Sequence, residues 1–243
     1  MPVRPGWSFT DNRITPGHSL YNLPMNSPTL TIDIVSDVVC PWCYIGKRKL
    51  EAALALPEAA DLPNIVIRWH PFQLNPDLPA QGMPRKQYLE DKFGGPEKAA
   101  AIYEQVRAAG AAIGLTLNID GITKQPNTLA AHALIAFAQA GDANVSDLQE
   151  RLFQAYFVEN RMIGSPDVLA EIAEEAGLNG EDARTFITDP EHLEVVAQAD
   201  ANIRRLGMTA VPFFIFNQKL SVAGAHDPAT LLGAMQQAVA SRD

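Results

Sequence analysis

The sequence predicts an α/β protein whose small sheet is interrupted by a large all-helical insertion. Three observations predict it: a strand–helix–strand pattern near the start, helical periodicity over 76–204, and a strand–turn–strand–helix pattern at the end. Two strands joined through a helix run parallel, with a right-handed crossover. The order βαβ, helices, ββα therefore predicts an α/β domain built from 29–75 and 205–243, with the insertion between its halves.

The first strand–helix–strand unit carries both cysteines of the chain. Leu30–Val35 alternates apolar and polar residues and is rich in β-branched side chains, and Ile65–Phe72 has the composition of a second strand. Between them, Cys40-Pro41-Trp42-Cys43 precedes an apolar periodicity that ends before Pro57. The cysteines are therefore predicted to lie where a strand gives way to a helix.

The insertion is predicted to contain four or five helices. Proline favours the first turn of a helix and glycine the residue after its end. Ser146-Asp147-Leu148-Gln149 has the spacing of a capping box. The predicted helix starts are Pro96, Pro126, Pro166 and Pro190, and the predicted ends are Gly110 or Gly114, Gly141, Gly164, Gly177 and Gly207.

The last segment is predicted to form a hairpin and a helix. Strands over 212–216 and 220–223 are separated by a short Asn217-Gln218 turn, and Asp227-Pro228 marks the start of an amphipathic helix.

Composition excludes several classes of protein. A chain of 243 residues with 47% hydrophobic and 19% charged residues can bury a core without metal or disulfide staples. A net charge of −9 and the lack of a basic run argue against a nucleic-acid partner. Residues 1–28 hold five prolines and no apolar stretch typical of a signal peptide. We therefore expect a flexible N-terminal arm over 1–28 and a cytoplasmic protein that does not enter a membrane.

The Cys-x-x-Cys pair has three interpretations: a dithiol redox centre, half of a zinc site, or two buried small hydrophobes. Zinc needs about four ligands, and the chain has no further cysteine and no histidine pair within five residues, so no metal site is predicted. A helix N-terminus stabilises a thiolate, which favours the redox interpretation with an exposed Cys40 attacking and a less exposed Cys43 resolving. Asp37 is either a proton acceptor near Cys43 or a solvated loop carboxylate.

Three segments carry a resemblance to a known family: SDVVCPWCYIGKRKLE (36–51), TAVPFFIF (209–216) and VAGAHDPATLL (222–232). In this order around a helical insertion they closely resemble the DsbA-like thioredoxin-fold family, and specifically its FrnE-like branch. The resemblance implies a thioredoxin fold, with Cys40 as nucleophile, Cys43 as resolving thiol, and a cis Val211–Pro212 bond that faces them. The family often has Gly at the position of Ala210 and Gln at the position of His226.

The resemblance also implies where substrate binds. In the family the segment around Val211 and Pro212 offers main-chain hydrogen bonds to the substrate. Pro41 suits the first helical turn, and Trp42 either brings an aromatic face beside the attacking sulfur or is a partly packed surface aromatic; both are candidate substrate contacts. The segment PNTLAAHAL (126–134) resembles a helix that begins near the active site. Its Asn127 is a candidate substrate contact, and His132 a second candidate. Otherwise the two are a helix-start polar residue and a partly buried core histidine.

The predicted function is therefore thiol–disulfide oxidoreduction on a disulfide- or dithiol-containing protein or small molecule. No cofactor is expected beyond the redox-active disulfide, with a low-molecular-weight thiol such as glutathione as a candidate co-substrate. Related branches, the 2-hydroxychromene-2-carboxylate isomerases and kappa-class glutathione transferases, typically carry Ser at the first active-site position and use glutathione. A glutathione-dependent isomerase or transferase on a small aromatic substrate is the alternative, and a redox-inactive binding or chaperone module is a third hypothesis.

Overall fold

A computed structural model describes residues 29–141 and 143–241 of the chain. The predicted arm over 1–28 lies outside the described residues. Within the described part the strands are β1 (Thr29–Ser36), β2 (Asn64–Pro71), β3 (Met83–Pro84), β4 (Lys124–Gln125), β5 (Phe213–Phe216) and β6 (Leu220–Ala223). The helices there are α1 (Pro41–Leu54), α2 (Arg85–Phe93), α3 (Pro96–Ala111), α4 (Leu129–Ala140), α5 (Val145–Phe157), α6 (Pro166–Glu175), α7 (Gly180–Thr188), α8 (Pro190–Arg205) and α9 (Pro228–Ala240).

The central sheet has the strand order β2-β1-β5-β6. β1 pairs with β2 in parallel and with β5 in antiparallel, and β6 pairs with β5 in antiparallel. Leu30, Ile32 and Ile34 of β1 are buried on the face that α1 and α9 cover. Val35 and Ile215 are buried on the opposite face with Ile203 of α8. β1 is therefore an inner strand that is buried on both faces of the sheet. The chain continues from its carboxyl end into the segment that carries the cysteines.

The edge of β2 is covered by α4. The Gln139 side chain accepts the backbone N–H of Trp69 at 2.7 Å and donates to the Trp69 carbonyl at 3.0 Å. An unpaired strand edge needs such partners, because buried backbone groups are rarely left without a hydrogen bond. This contact brings the helical insertion against the sheet near the end of β1.

The insertion differs from the prediction in its number of helices. Between β2 and β5 the described residues form seven helices, from α2 to α8, and not four or five. The two missed helices are α2, which is mostly polar and lacks an apolar period, and α7, which has nine residues and begins at Gly180, a residue type that predicts a helix end. Three boundaries were also wrong: α4 begins at Leu129 and not at Pro126, α5 is capped by Asn144 and not by Ser146, and α5 ends at Phe157 and not at Gly164. The Asn144 side chain accepts the Ser146 N–H at 3.1 Å.

The hairpin turn has the predicted position. Asn217 and Gln218 both adopt positive φ angles, of 48° and 56°. Two residues with φ above zero match the twist of the flanking strands. The Asn217 side chain also accepts the backbone N–H of Thr31 at 2.9 Å, which ties the turn to β1.

No helix among the described residues combines the length and the apolar character that crossing a bilayer demands.

Candidate active site

Cys40 occupies the N-cap of α1, as the sequence predicts. Its N–H donates to the Asp37 carbonyl at 3.0 Å, and its carbonyl accepts the N–H groups of Cys43 and Tyr44 at 3.0 and 3.3 Å. Pro41, half-buried, is the first helical residue, where its missing N–H costs no hydrogen bond. The prediction of an exposed Cys40 was wrong: the residue is 5% exposed, because its sulfur packs 3.8 Å from the Val211 carbonyl oxygen.

Cys43 lies one turn further into α1 and is 1% exposed. Both cysteines are free thiols in the structure. Burial is the largest cause that raises the pKa of Cys43 well above its ordinary value, and the neighbouring Cys40 raises the pKa further. The Ser36 hydroxyl and the Asp37 backbone N–H face the Cys43 sulfur and oppose this rise. The environment of the Cys43 thiol therefore favours its protonated form.

The segment before β5 lies against Cys40. The Val211–Pro212 peptide bond is cis, Pro212 is buried and Val211 is half-buried. Gly46 of α1 makes the close approach possible, because a Cβ there would lie 3.0 Å from Pro212 Cγ. Trp42 is 37% exposed, on the outer side of the same helix start. The sequence reasoning did not find Gly46, since only the packing of α1 on β5 identifies it.

Asp37 is fully buried, so the interpretation as a solvated loop carboxylate was wrong. Its Oδ2 accepts the Leu74 N–H at 2.7 Å. Its Oδ1 lies 3.4 Å from Nε2 of His132, which is 5% exposed. Two residues far apart in sequence thus meet directly beneath the start of α1.

The side chain of Asn127 is held by the protein's own chain. Its Oδ1 accepts the Leu129 N–H at 2.9 Å and the Gln73 side-chain N–H at 3.1 Å, and its Nδ2 donates to the Leu78 carbonyl at 2.6 Å. Asn127 also lines an open groove of about 620 Å³ on the insertion. Its role as a substrate contact stays a prediction.

His226 is exposed and its Nε2 lies 2.9 Å from the Ala223 carbonyl oxygen.

One further cation lies near the cysteines. Lys92 of α2 donates to the Asn75 side chain at 2.8 Å and to the Leu74 carbonyl at 3.4 Å. Burial lowers the pKa of Lys92, while the charges of Asp37 and Cys40 act to raise it. Lys92 therefore holds the loop whose Leu74 N–H binds Asp37.

Within 29–141 and 143–241, no three His, Cys, Asp or Glu side chains are grouped as a metal site would require.

A buried ionic cluster fixes α1 to α5. Glu150 accepts hydrogen bonds from the Tyr44 hydroxyl at 2.6 Å, from Lys47 Nζ at 2.9 Å and from Arg48 Nη2 at 2.6 Å. Lys47 is 3% exposed, so its charge depends on Glu150 and Glu51 for compensation. The sequence reasoning missed this cluster, although Lys47 sits on the apolar face of the predicted helix.

Comparison with known proteins adds the family context. The model of the DSBA-like thioredoxin domain matches residues 31–236. A solved structure of a probable DsbA oxidoreductase of Streptomyces coelicolor is 28% identical, covers 88% of this chain and 92% of its own, and superposes with a TM-score of 0.77. The uncharacterised protein YwbO of Bacillus subtilis is 29% identical over 188 residues, which is 77% of this chain and 86% of YwbO.

A third relative shares the fold at lower identity. The cytosolic disulfide reductase DsbM of Pseudomonas aeruginosa, solved with GSH, is 21% identical, covers 86% of this chain and 96% of its own, and has a TM-score of 0.58. These similarities extend over the sheet and the helical insertion together.

Proposed function

The chain belongs to the DsbA-like thioredoxin domain family, and on that basis we propose that it is a dithiol–disulfide oxidoreductase in which Cys40 attacks and Cys43 resolves. The predicted resemblance and the predicted thioredoxin fold are confirmed. Family membership supports a thiol–disulfide oxidoreductase as the general class of enzyme.

The observation that carries the proposal is the unequal setting of two thiols one helical turn apart. Cys40 occupies the N-cap position of α1, and the backbone N–H groups at a helix N-terminus favour a thiolate. Cys43 is less exposed than Cys40, and burial raises the pKa of its thiol. The thiolate is the attacking species in disulfide exchange. Cys40 is therefore the nucleophile that meets substrate first.

The exchange conserves atoms and electrons. The Cys40 thiolate attacks one substrate sulfur, and the substrate S–S bond breaks with its electron pair on the other sulfur. Cys43 then loses its proton and attacks Cys40, so that the Cys40–Cys43 bond forms and the second substrate sulfur leaves as a thiolate. The substrate disulfide is reduced and the protein dithiol is oxidised. Run in reverse, the same steps oxidise a substrate dithiol.

Substrate binding is proposed at the residues around the Cys40 sulfur. The Val211 carbonyl, 3.8 Å from that sulfur, marks the backbone segment against which an extended substrate chain would lie. Pro212 packs against Gly46 of α1, and we propose that Pro41 and the exposed Trp42, next to Cys40 in the chain, also contact the substrate. Asn127 lines a separate groove on the insertion, and its role as a substrate contact stays a prediction.

The reaction needs no cofactor beyond the disulfide itself, and a small thiol such as glutathione serves as the co-substrate that returns the protein to its starting state. The proposed partner is a disulfide- or dithiol-containing protein or small molecule. Cytoplasmic location stays a prediction of the sequence.

The test is a comparison of two trapping variants. Cys43→Ser should accumulate mixed disulfides on Cys40 in a lysate, because the attacking thiol survives without its resolver. Cys40→Ser is the matched control and should trap nothing. Reversible formation of the Cys40–Cys43 disulfide in a glutathione redox buffer should require both cysteines.

Two results would count against the proposal. Equal trapping by both variants would contradict the assignment of roles. Turnover of a small aromatic substrate that needs glutathione and tolerates Cys43→Ser would favour the isomerase or transferase alternative, because that chemistry needs only a polar group that activates a bound thiol.

A further inference from the structure

The groove beside Asn127 is separate from the cysteines. It has a volume of about 620 Å³ and lies on the insertion, where β4, the starts of α4 and α6, and the junction of α7 and α8 form its walls. None of Cys40, Trp42, Val211 and Pro212 lines it. Small-molecule sites in proteins typically measure about 300–1,000 Å³. The groove therefore has the size of a ligand site and is not part of the site at the thiols.

Apolar side chains form much of the wall of this groove. Leu129 of α4, Met162 and Leu193 of α8 line it and are half-buried, and the buried Ile187 of α7 lines it as well. Removing apolar surface from water is favourable, and a concave site with mainly apolar walls is typical of ligand binding. The groove therefore favours a ligand that has an apolar body.

The charge of the groove is positive. Among the described residues, Lys124 is the only charged one that lines the groove, and its exposed side chain forms no ion pair within that part of the chain. Leu129 and Pro166, the first residues of α4 and α6, also line the groove, and a helix N-terminus carries a positive partial charge. In a chain whose net charge is −9, a wall with one cation and no acidic side chain favours an anionic ligand.

The acidic residues that adjoin the lining segments in sequence have partners of their own. Asp167 of α6 forms an ion pair with Arg184 of α7. Asp189 is the N-cap of α8, where its side chain accepts the Glu191 N–H at 2.8 Å. Neither carboxylate lines the groove or pairs with Lys124. The charge of Lys124 is therefore available to a ligand.

We propose that this groove is a second binding site, for a small molecule that has an apolar body and a single carboxylate. The carboxylate lies at Lys124, and the apolar body lies along Leu129, Ile187 and Leu193. Long-chain fatty acids and aromatic carboxylic acids share this chemistry. Binding at the groove requires neither thiol, so it is separate from the proposed oxidoreductase function.

The test titrates three probes into the full chain by isothermal titration calorimetry. Dodecanoate and 2-naphthoate carry a carboxylate on an alkyl chain and on an aromatic body, and dodecyltrimethylammonium carries the alkyl chain with the opposite charge. We expect saturable binding of one molecule per chain for at least one of the two carboxylates. Dodecyltrimethylammonium should bind at least roughly tenfold more weakly, because it meets Lys124 as a like charge. The carboxylate that binds more tightly identifies the kind of apolar body.

The role of the charge is tested by Lys124→Gln. This variant should weaken binding of the carboxylate about fivefold, which is the effect of an ion pair that is partly exposed to solvent. Lys86→Gln is the matched control, since Lys86 is also exposed and forms no ion pair with the described residues, but does not line the groove. The control should bind the carboxylate as tightly as the wild type.

The position of the ligand is tested by Ala130→Trp. Ala130 of α4 is half-buried and lines the groove, so an indole ring there takes the space of the apolar body and binding should be lost. Ala101→Trp, at an exposed residue of α3 outside the groove, is the matched control and should bind normally. Thermal melts confirm that each variant is folded. If Ala130→Trp does not fold, Lys124→Gln still decides the test, because Lys124 is exposed.

Three results would overturn the proposal. If neither carboxylate binds saturably, the groove does not take this class of ligand, and a groove filled by residues 1–28 or by a second copy of the chain would give this result. If Ala130→Trp binds as tightly as Ala101→Trp, the ligand lies elsewhere. If Lys124→Gln and Lys86→Gln bind equally well, the carboxylate does not lie at Lys124.

Sedimentation of the same samples identifies a second copy in the groove, since Ala130→Trp would then change the oligomeric state. The titrations involve no thiol exchange, so their failure leaves the proposed function to its own trapping experiment.

Discussion

Gly46 of α1 packs directly against Pro212: a Cβ at Gly46 would lie 3.0 Å from Pro212 Cγ and 3.2 Å from Phe214 Cζ. Contacts this short are tighter than ordinary Cβ contacts, so a side chain at Gly46 would require Pro212 or Phe214 to shift by a few tenths of an ångström. The same close approach brings the start of α1 to the segment before β5, where the Cys40 sulfur lies 3.8 Å from the Val211 carbonyl oxygen. The geometry of the candidate site thus depends on a residue that carries no chemistry.

Gly46→Ala should therefore slow thiol exchange and lower the melting temperature. Overpacking a core typically costs about 1–3 kcal/mol, which exceeds the gain of about 1 kcal/mol from replacing a helical glycine. Exchange with oxidised glutathione and thermal melts measure the two effects. Gly233→Ala is the control, because a Cβ there meets nothing within 4 Å in α9. That variant should be neutral or slightly stabilised, and equal behaviour of the two variants would contradict the packing argument.

Cys43 should resist alkylation in the folded protein. Burial raises the pKa of its thiol and also shields the sulfur. In the Cys40→Ser variant, iodoacetamide should therefore label Cys43 slowly even at a pH of about 8.5, the ordinary pKa of a cysteine thiol. Mass spectrometry follows the labelling, and denaturation in urea should abolish the resistance. In the Cys43→Ser variant Cys40 should react faster, and similar native rates for the two thiols would count against their unequal roles.

Glu150 should contribute stability that is lost in acid. Burial alone would raise the pKa of Glu150, but hydrogen bonds from Tyr44 and Lys47 outweigh it, so the folded pKa is lowered. A lowered folded pKa gives stability that is present above the ordinary glutamate value of about 4.3 and is lost as pH falls through the folded value. Glu150→Gln should therefore lower the free energy of unfolding at pH 7 by roughly 1–3 kcal/mol. The difference from wild type should shrink as the pH falls below about 4.

Urea unfolding across this pH range measures the Glu150 effect. Glu104→Gln is the surface control, because Glu104 is 76% exposed in its pair with Arg107 and exposed pairs add about 0–1 kcal/mol. A gap between wild type and Glu150→Gln that stays constant with pH would show that the charge of Glu150 is not what stabilises α1 on α5.

Trp42→Ala should weaken binding of peptide substrates more than reaction with small disulfides. Trp42 is 37% exposed beside the attacking sulfur, and aromatic side chains at the centre of an interface often contribute about 2 kcal/mol or more. We expect KM for a disulfide peptide to rise roughly tenfold or more, with little change in the rate of exchange with oxidised glutathione. Val158→Ala, at a similarly exposed apolar residue of 42%, should leave both unchanged. An equal loss with both substrates would place Trp42 in the exchange step itself.

The sequence by itself determined the order βαβ, helical insertion, ββα, the position of Cys40 at a helix start and the hairpin turn at Asn217. These depend on neighbouring residues: alternation along a strand, a proline in the first helical turn, and residues suited to a tight turn. The number of helices in the insertion could not be predicted, because α2 is mostly polar and the short α7 begins at Gly180, a residue type that predicts a helix end.

Only the tertiary structure decided which polar groups lie together around the thiols. A solvated loop carboxylate is one of the two interpretations of Asp37 from the sequence, yet the structure buries Asp37 against His132 of α4. The role of Gly46 depends on its packing against Pro212, and the role of Lys47 depends on its ion pair with Glu150. Burial and close approach between distant segments depend on how helices and strands pack. A local pattern of residue types does not show which distant segment a given residue will contact.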